Sequence, residues 1–298
     1  MSQNILFSII IPTYNRASFI EKTIESALDQ TYPNYEIIVI DDGSTDNTDE
    51  IVKHIKNKKI SYYKIKNSER GAARNYGASI AKGEYVNFFD SDDVLYPNHL
   101  EDAYQLITKK NRPEVVHVGY DVRDPNGKIL TRAQSLKGDL NLCLVKKGNL
   151  LSCNGVFLRK DISKTHPFSE DRKLSGSEDY ELWLRLSSEF PIYYSNAVTS
   201  SIINHDDRSV LSMNKDNLII RFSTLVDSLM KNEKFVAKFA KYKNNILANN
   251  YTYISLHIAL TGSYKYDAMK YLSKAIIKRP LLILNKRFFA IIKHLIIS

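Results

Sequence analysis

The sequence contains few cysteines: Cys143 and Cys153 are the only two among 298 residues. Two cysteines cannot build the disulfide framework that stabilises small secreted domains. Their spacing also matches no metal-ligand motif, and no Cys/His set indicates zinc. We therefore expect two reduced thiols in a cytoplasmic protein.

Secretory and membrane-spanning patterns are also missing from the sequence. The first apolar stretch, "ILFSIII", follows no basic residue and stops at Pro12, so it predicts a strand and not a signal peptide. The Ile- and Leu-rich end of the chain, residues 264–297, has no apolar run of 18 residues free of charge, which excludes a spanning helix there. Apolar residues still make up 43% of the chain, enough for a sizeable core.

Acidic residues are scarce only towards the C-terminus. Residues 231–298 contain 13 Lys or Arg and 2 Asp or Glu, whereas residues 1–230 contain 29 and 31. The net charge of +9 therefore comes from the end of the chain. This asymmetry suggests an anionic partner for that end and not for the whole protein.

Apolar runs and helical spacing alternate over the first 125 residues. Runs such as "LFSIIIPTY" and "YEIIVID" predict strands buried on both faces. Segments between them, such as "SFIEKTIESALDQ", carry apolar residues at helical spacing. The alternation predicts an α/β fold with a mostly parallel sheet and helices on both faces. After about residue 214 the pattern is helical throughout.

Polar side chains gather where the predicted strands end. Ligands of such sheets bind beyond the carboxyl ends of the strands, so this edge is the expected site. The clusters at this edge are Thr13-Tyr14-Asn15, Asp41-Asp42, Asn67 and Asp90-Ser91-Asp92-Asp93.

The segment "DSDD" places three carboxylates, Asp90, Asp92 and Asp93, within four residues. Adjacent carboxylates repel one another and resist burial, so a positive partner is expected. A hard divalent cation such as Mg²⁺ or Mn²⁺ suits these ligands. The alternative is a solvated turn with helix-capping aspartates, and the motif alone leaves both open.

Three further motifs have a structural and a functional interpretation. Asp42 either binds a base or ribose hydroxyl or belongs to a turn that leads into a helix cap. Arg70 and Arg74 either neutralise the acids or bind a diphosphate, with the structural role favoured for Arg74. Glu178 and Asp179 begin a predicted helix, where acids ordinarily complement the helix dipole.

Together these motifs resemble the family 2 glycosyltransferases, inverting enzymes of the GT-A fold. The resemblance covers roughly residues 5–212 and rests on "SIIIPTYNRASFIEKTIESALDQTYPNYEIIVIDDGSTDNT", "GAARNYGASIAKGEYVNFFDSDD" and "SEDYELWLRL". It implies a catalytic domain at 1–212, with a nucleotide-sugar-binding half at 1–125 and an acceptor-binding half at 126–212. The rest of the chain, 213–298, is then a basic, amphipathic helical extension.

The resemblance also implies roles around a nucleotide-sugar donor, usually a UDP-sugar. Asp42 would contact the base, and Asp90 of the DxD motif would contact the ribose. The other residues assigned to the donor are Pro12, Thr13, Tyr14, Asn15, Asn67, Arg70, Arg74 and Ser91.

For the reaction, the resemblance implies a divalent metal, Mn²⁺ or Mg²⁺, and one catalytic base. Asp92 or Asp93, joined by His205, would hold the metal. Asp179, preceded by Glu178, would take the proton from an acceptor hydroxyl as the anomeric carbon is inverted. The implied acceptor is a glycan or lipid-linked oligosaccharide of cell-surface polysaccharide synthesis, used at the inner face of the cell membrane.

Residues 264–297 have two interpretations. Basic pairs recur at 278–279, 286–287 and 293–294, at intervals of about two helical turns, among Ile, Leu and Phe. A helix that lies in an anionic membrane surface accounts for this pattern. A helical hairpin packed on the catalytic domain, with solvated lysines, also does.

Two other classes of protein are less consistent with the sequence. The basic charge suggests nucleic-acid binding, but it lies in an Ile- and Leu-rich segment without interleaved aromatic residues, so we expect no nucleic-acid partner. A metal-dependent nucleotidyltransferase on a similar sheet is disfavoured because the first strand–helix turn lacks a Gly-rich phosphate loop.

Overall fold

The computed structural model of the chain describes residues 4–132, 135–205 and 214–297. Its strands are β1 (Phe7–Thr13), β2 (Tyr35–Asp41), β3 (Ile60–Lys64), β4 (Tyr85–Phe88), β5 (Val94–Leu95), β6 (Val115–Arg123), β7 (Ile129–Thr131), β8 (Val156–Arg159) and β9 (Ile192–Ile203). Its helices are α1 (Ile20–Leu28), α2 (Thr48–His54), α3 (Glu69–Ile80), α4 (His99–Lys109), α5 (Leu140–Lys147), α6 (Lys160–Thr165), α7 (Glu178–Glu189), α8 (Lys215–Lys231), α9 (Glu233–Phe239), α10 (Lys243–Leu260), α11 (Lys265–Lys278) and α12 (Lys286–Ile297).

The strands of the described chain form one mixed sheet. Their order is β3-β2-β1-β4-β8-β6-β9-β5, and β7 pairs with β6. Strand β1 is parallel to β2 and β4, β2 is parallel to β3, and β6 is parallel to β9. Strand β8 lies antiparallel between β4 and β6 and so joins the two parallel groups. The predicted parallel sheet is confirmed, with antiparallel pairs added around β8, β7 and β5.

The central strands pack helices on both faces, as predicted. Ile9 of β1 lies in one apolar cluster with Ile24 of α1 and Leu100 of α4. Its neighbour Ile10 points to the opposite face, since successive strand side chains alternate. There α3 approaches so closely that a Cβ on Gly77 would collide with Ile10.

The chain divides into two compact units. Unit 1 comprises Met1–Leu140, Leu151–Leu182 and Phe190–Arg208, and unit 2 comprises Asn141–Leu150, Trp183–Glu189 and Ser209–Ser298. Within unit 2, Nδ2 of Asn249 on α10 donates to the carbonyl oxygen of Lys146 on α5 at 3.1 Å. Some residues from the predicted catalytic part therefore pack with the C-terminal helices. The domain limit predicted near residue 212 stays a prediction.

The C-terminal segment is not one continuous helix. Helix α11 ends at Lys278, a 3-10 helix spans Pro280–Leu284, and α12 begins at Lys286. Proline lacks an N–H donor and ends a helix. The basic pairs 278–279 and 286–287, which the sequence places about two helical turns apart, therefore do not lie on one continuous helix. In the described part of the chain, no helix has both the length and the apolar character that crossing a membrane requires.

Candidate active site

The polar clusters predicted from the sequence meet at one edge of the sheet. Thr13 at the end of β1 is paired with Asp41 at the end of β2, and Ile10 is paired with Phe88 at the end of β4. Because these strands are parallel, their carboxyl ends and the loops that follow lie side by side. The predicted clustering at this edge is therefore observed, and the binding of a ligand there stays a prediction.

The loop after β1 is tied to the loop after β2. Pro12 and Thr13 are buried, whereas Tyr14 is 46% exposed. Asn15 has a φ of 49° and accepts a hydrogen bond at Oδ1 from the N–H of Thr45 at 2.8 Å. The left-handed conformation of Asn15 is one that asparagine tolerates well. Of the four residues predicted in this loop, Tyr14 is therefore the most exposed to a ligand.

Asp41 and Asp42 differ in their environment. The carboxylate of Asp41 accepts from the Tyr62 hydroxyl at 2.6 Å and the Ser44 N–H at 2.7 Å, so it stabilises the loop. Asp42 accepts at Oδ1 from the Ser68 N–H at 2.7 Å. Burial raises the pKa of Asp42, and the backbone hydrogen bonds oppose that change. Asp42 remains the acid of this pair suited to a ligand.

Asn67 lies beside an arginine that the sequence did not single out. Nη2 of Arg172 donates to the carbonyl oxygen of Asn67 at 3.3 Å and to its Oδ1 at 3.4 Å. Arg172 also contacts Glu69, whose φ of 75° places a non-glycine residue in the left-handed region. The two segments are 105 residues apart, so no local pattern signals this contact.

Arg74 joins the acid cluster after β4 to the acid pair of α7. Its Nη2 donates to Asp90 Oδ1 at 2.7 Å, and its Nη1 donates to Glu178 Oε1 at 2.8 Å. Arg70 lies 3.7 Å from the same Glu178 oxygen. Arg74 is buried, and Glu178 also accepts from the Gly176 N–H at 2.6 Å. Arg74 thus pairs with two acids of the described chain, with Arg70 beside it, and the roles of both towards a ligand stay predictions.

The carboxylate of Asp93 is buried and used within the protein. Its Oδ1 accepts from the Ile203 N–H at 2.9 Å, and its Oδ2 accepts from Asn154 Nδ2 at 2.7 Å. Asn154 also accepts at Oδ1 from the Asp90 N–H at 3.0 Å, which orders the acid loop. Ser91 in the same loop is buried. Asn154 is a residue that the sequence patterns missed.

Asp92 has different neighbours. His205 Nε2 lies 3.2 Å from Asp92 Oδ2, and Arg16 Nε lies 3.3 Å from the same oxygen. The His205 ring stacks on Phe19, with centroids 4.3 Å apart, and its buried Nδ1 has no hydrogen-bond partner among the described atoms. The sequence patterns did not single out Arg16.

A metal would find two protein ligands here. Among the described residues, no three His, Cys, Asp or Glu side chains form a metal-holding cluster. One carboxylate and one imidazole, Asp92 and His205, nevertheless fit a cation that takes its other ligands from water and substrate phosphate, as Mg²⁺ commonly does. Of the two predicted alternatives, Asp92 fits this role better than Asp93.

The family model described as Glycosyl transferase family 2 matches residues 8–165, more than half of the chain. The chain belongs to this family. The predicted family and the predicted class of enzyme, a glycosyltransferase, are confirmed.

Curated relatives of this glycosyltransferase include a nearly full-length match. UDP-Glc:alpha-D-GlcNAc-diphosphoundecaprenol beta-1,3-glucosyltransferase WfaP of Escherichia coli is 32% identical over 254 residues, which cover 83% of this chain and 97% of WfaP. An uncharacterized glycosyltransferase of Rickettsia bellii is 32% identical over 220 residues, covering 71% of this chain and 32% of the relative. The chain thus spans about a third of that Rickettsia protein's length.

Solved structures of glycosyltransferases share the fold. S. aureus TarS 1–349 in complex with UDP-GlcNAc matches with a TM-score of 0.61 and 18% identity, over 95% of this chain and 92% of that one. Mannosyltransferase PcManGT from Pyrobaculum calidifontis, in complex with GDP-Man and Mn²⁺, matches with a TM-score of 0.61 and 14% identity. This match covers 98% of this chain and 86% of that one. The predicted GT-A fold with a helical C-terminal region is confirmed.

The acid pair of this glycosyltransferase has two different carboxyl groups. Burial would raise the pKa of Glu178, but Arg70 and Arg74 lower it below its usual value. Burial, and then the charge of Glu178, raise the pKa of Asp179 to about 6. The free thiol of Cys153 lies buried nearby, and burial raises its pKa. One acid of the pair is therefore a fixed anion, and the other can exchange a proton near neutral pH.

Replacing Asp93 by alanine is expected to lower the free energy of unfolding by about 1–3 kcal/mol, because Asn154 and the Ile203 N–H lose a buried partner. The control is Asp92→Ala, which removes a partly exposed carboxylate and should change stability by less than about 1 kcal/mol. Urea unfolding measures both variants. Equal stability of the two would contradict a structural role for Asp93.

Proposed function

We propose that the protein transfers a sugar from a UDP-sugar to a hydroxyl of a glycan or lipid-linked oligosaccharide, with inversion of the anomeric carbon. The observation that carries the proposal is Arg74, which bonds Asp90 and Glu178 at once and so brings the DxD loop to the start of α7. The names of WfaP, a glucosyltransferase with a UDP-Glc donor and a lipid-linked acceptor, and of TarS with UDP-GlcNAc support it. Cell-surface polysaccharide synthesis is the proposed context.

Asp179 is the proposed catalytic base. Its carboxylate accepts the proton of the acceptor hydroxyl while that oxygen forms a bond to the anomeric carbon. The bond from the anomeric carbon to the diphosphate oxygen breaks in the same step, and the electron pair leaves with the nucleoside diphosphate. A single displacement of this kind inverts the carbon.

The loops at the sheet edge form the proposed donor site. Asp42 accepts from the base in this proposal, and exposed Tyr14 lies on the neighbouring loop. Pro12, Thr13, Asn15, Asn67 and Ser91 shape the pocket through their backbone and loop contacts. Asp90 binds the ribose, while Arg74 holds its carboxylate in place through a hydrogen bond. Arg70, one-third exposed, supplies positive charge towards the diphosphate.

Asp92 and His205 are the proposed metal ligands, with Mn²⁺ or Mg²⁺ as the cation. When bound, the cation would supply positive charge that stabilises the departing nucleoside diphosphate. The complex of PcManGT with Mn²⁺ supports a metal in this fold. Arg16 already places positive charge on Asp92 in the described structure and is a further candidate contact for phosphate.

The purified protein should release UDP from a UDP-sugar only when a divalent cation is present. The assay offers a panel of UDP- and GDP-sugars, with and without EDTA, to synthetic lipid-diphosphate-linked sugars. NMR of the product then gives the anomeric configuration. Pyrophosphate release from nucleoside triphosphate and sugar phosphate would instead indicate a nucleotidyltransferase, and a retained anomeric configuration would exclude the single displacement.

Turnover is expected to fall below about pH 6 and to stay level above it. Asp179 must be unprotonated to accept a proton, and its pKa is raised to about 6. Below that pH the active fraction decreases about tenfold per pH unit. The measurement is kcat/KM for the acceptor as a function of pH, because this ratio reports the pKa of the base in the enzyme before the acceptor binds. A kcat/KM that stays constant down to about pH 5 would argue against Asp179 as the base.

The C-terminal helices are the proposed contact with an anionic membrane surface, at the inner face of the cell membrane. The basic excess of residues 231–298 supports this. In this proposal residues 1–212 carry the reaction and 213–298 bring the protein to a lipid-linked acceptor. The segment 206–213 lies outside the described residues.

A further inference from the structure

Large apolar side chains are exposed where α11 passes into α12. Ile277 and Leu284 are 75% exposed, and Leu281 is 73% exposed. In the described part of unit 1, the most exposed large apolar side chain is Leu130, at 48%. In unit 2, Tyr266 at 81% and Ile296 at 76% are exposed as well, but Ile277, Leu281 and Leu284 fall within eight consecutive residues. Exposed apolar side chains close together indicate an interaction surface, whereas scattered ones do not.

The 3-10 helix Pro280–Leu284 holds these side chains outward. Leu282 is buried in a cluster with Ala248 of α10 and Ala275 of α11, which anchors the segment. Residues three apart eclipse each other in a 3-10 helix, so Leu281 and Leu284 share one face. The inner face therefore has a packing role, and the outer face has no packing role within unit 2.

Lysines flank this outer face. Lys278 and Lys286 are exposed at the two ends of the segment. After residue 262 the sequence has one acidic residue, Asp267, and its carboxylate binds Lys215 at 2.8 Å. The segment that contains the exposed leucines thus carries positive charge and has no acidic residue of its own.

We propose that the outer face of Pro280–Leu284 docks on an anionic lipid bilayer, with Ile277, Leu281 and Leu284 inserted between the lipids. Lys278 and Lys286 lie at the level of the phosphates. Apolar side chains flanked by lysines suit the boundary between acyl chains and headgroups. The apolar side chains insert into the acyl region, and the anionic headgroups attract the lysines. The inference rests on the proposed membrane contact and names the segment that makes it.

The packing interpretation and the membrane interpretation of residues 264–297 then apply to different faces of this segment. The buried side of α11 packs with α8 and α10, where Ala268 joins Leu218 and Ile258 in one cluster. The lipid-facing side belongs to the short 3-10 helix and its flanks. Removing the whole tail would therefore expose a packed face, so point substitutions in the full chain are the suitable test.

The test is sedimentation of the full-length protein with vesicles of phosphatidylglycerol or of phosphatidylcholine alone. Wild type should bind the former at least about tenfold more tightly, and less in high salt. The variant L281N/L284N should lose about tenfold or more of that binding. Ile220→Asn, on α8 and 43% exposed, is the matched control and should bind as wild type. Undiminished binding by L281N/L284N would overturn the proposal.

A second variant tests the charges without touching the apolar face. Lys278→Gln with Lys286→Gln should weaken binding to phosphatidylglycerol and reduce its salt dependence. A different result would assign the face to a second copy of the chain. In that case the wild type binds neither kind of vesicle and forms a dimer in sedimentation velocity, and L281N/L284N abolishes the dimer. UDP release with a water-soluble acceptor is measured in parallel. The rate of UDP release should be the same in all of these variants as in wild type. If wild type releases no UDP, that result contradicts the proposed reaction and not the docking segment.

Discussion

Replacing Asp179 by asparagine is expected to reduce transfer by more than about 10²-fold while UDP binding stays within about twofold of wild type. Asparagine has nearly the same shape but cannot accept the proton of the acceptor hydroxyl. The residues proposed to hold the nucleotide, at the ends of β1, β2 and β4, are unchanged. Steady-state kinetics and calorimetric titration with UDP and Mn²⁺ give the two quantities.

The fold should tolerate this substitution. Burial raises the pKa of Asp179 from 3.8 to about 6, so ionising this carboxyl lowers the free energy of unfolding between these two pH values, and the full cost is present at pH 7. An uncharged amide should therefore leave stability at pH 7 equal or higher. Glu189→Gln, the same chemical change at the other end of α7, is the control and should retain full activity. Near-normal turnover of Asp179→Asn would eliminate Asp179 as the base.

Replacing Arg74 by methionine is expected to destabilise the protein by about 3–5 kcal/mol, because Glu178 would keep a buried charge without its closest partner. The guanidinium is almost fully buried and bonds two carboxylates, at 2.7 and 2.8 Å. Arg70, at 3.7 Å from Glu178, compensates only in part. Denaturant unfolding monitored by circular dichroism gives the free-energy difference.

An exposed ion pair of the same length is the matched control. Arg112 bonds Glu84 at 2.8 Å, but both side chains are a third or more exposed, so Arg112→Met should cost less than about 1 kcal/mol. Adding Glu178→Met to Arg74→Met should recover part of the lost stability, since the uncompensated charge is then gone. If Arg74→Met is no more harmful than Arg112→Met, the buried charge is not what orders the site.

The position of the candidate site could be predicted because its determinants are local. Strands β1, β2 and β4 are short apolar runs, and strands buried on both faces require apolar side chains at every position. The acids and amides that follow these runs could then be placed at one edge. Helical spacing also predicted helix α7, with Glu178 and Asp179 in its first turn. The break at Pro280 was not predicted, although a proline inside a helical pattern is a local signal that ends a helix.

The sequence by itself thus determined the alternation of strands and helices in the first half, the family and the set of polar residues at the edge. Only the tertiary structure decided which of those residues are bound by other parts of the chain and so stabilise the loops. Asp92 and Asp93 are adjacent in the chain, yet Asp93 is bound by Asn154, 61 residues away, and by the Ile203 N–H, 110 residues away. Arg74 similarly meets Glu178 across 104 residues. Local patterns report burial and periodicity, but hydrogen-bond partners that are distant in sequence are set by how β8, β9 and α7 return to the sheet.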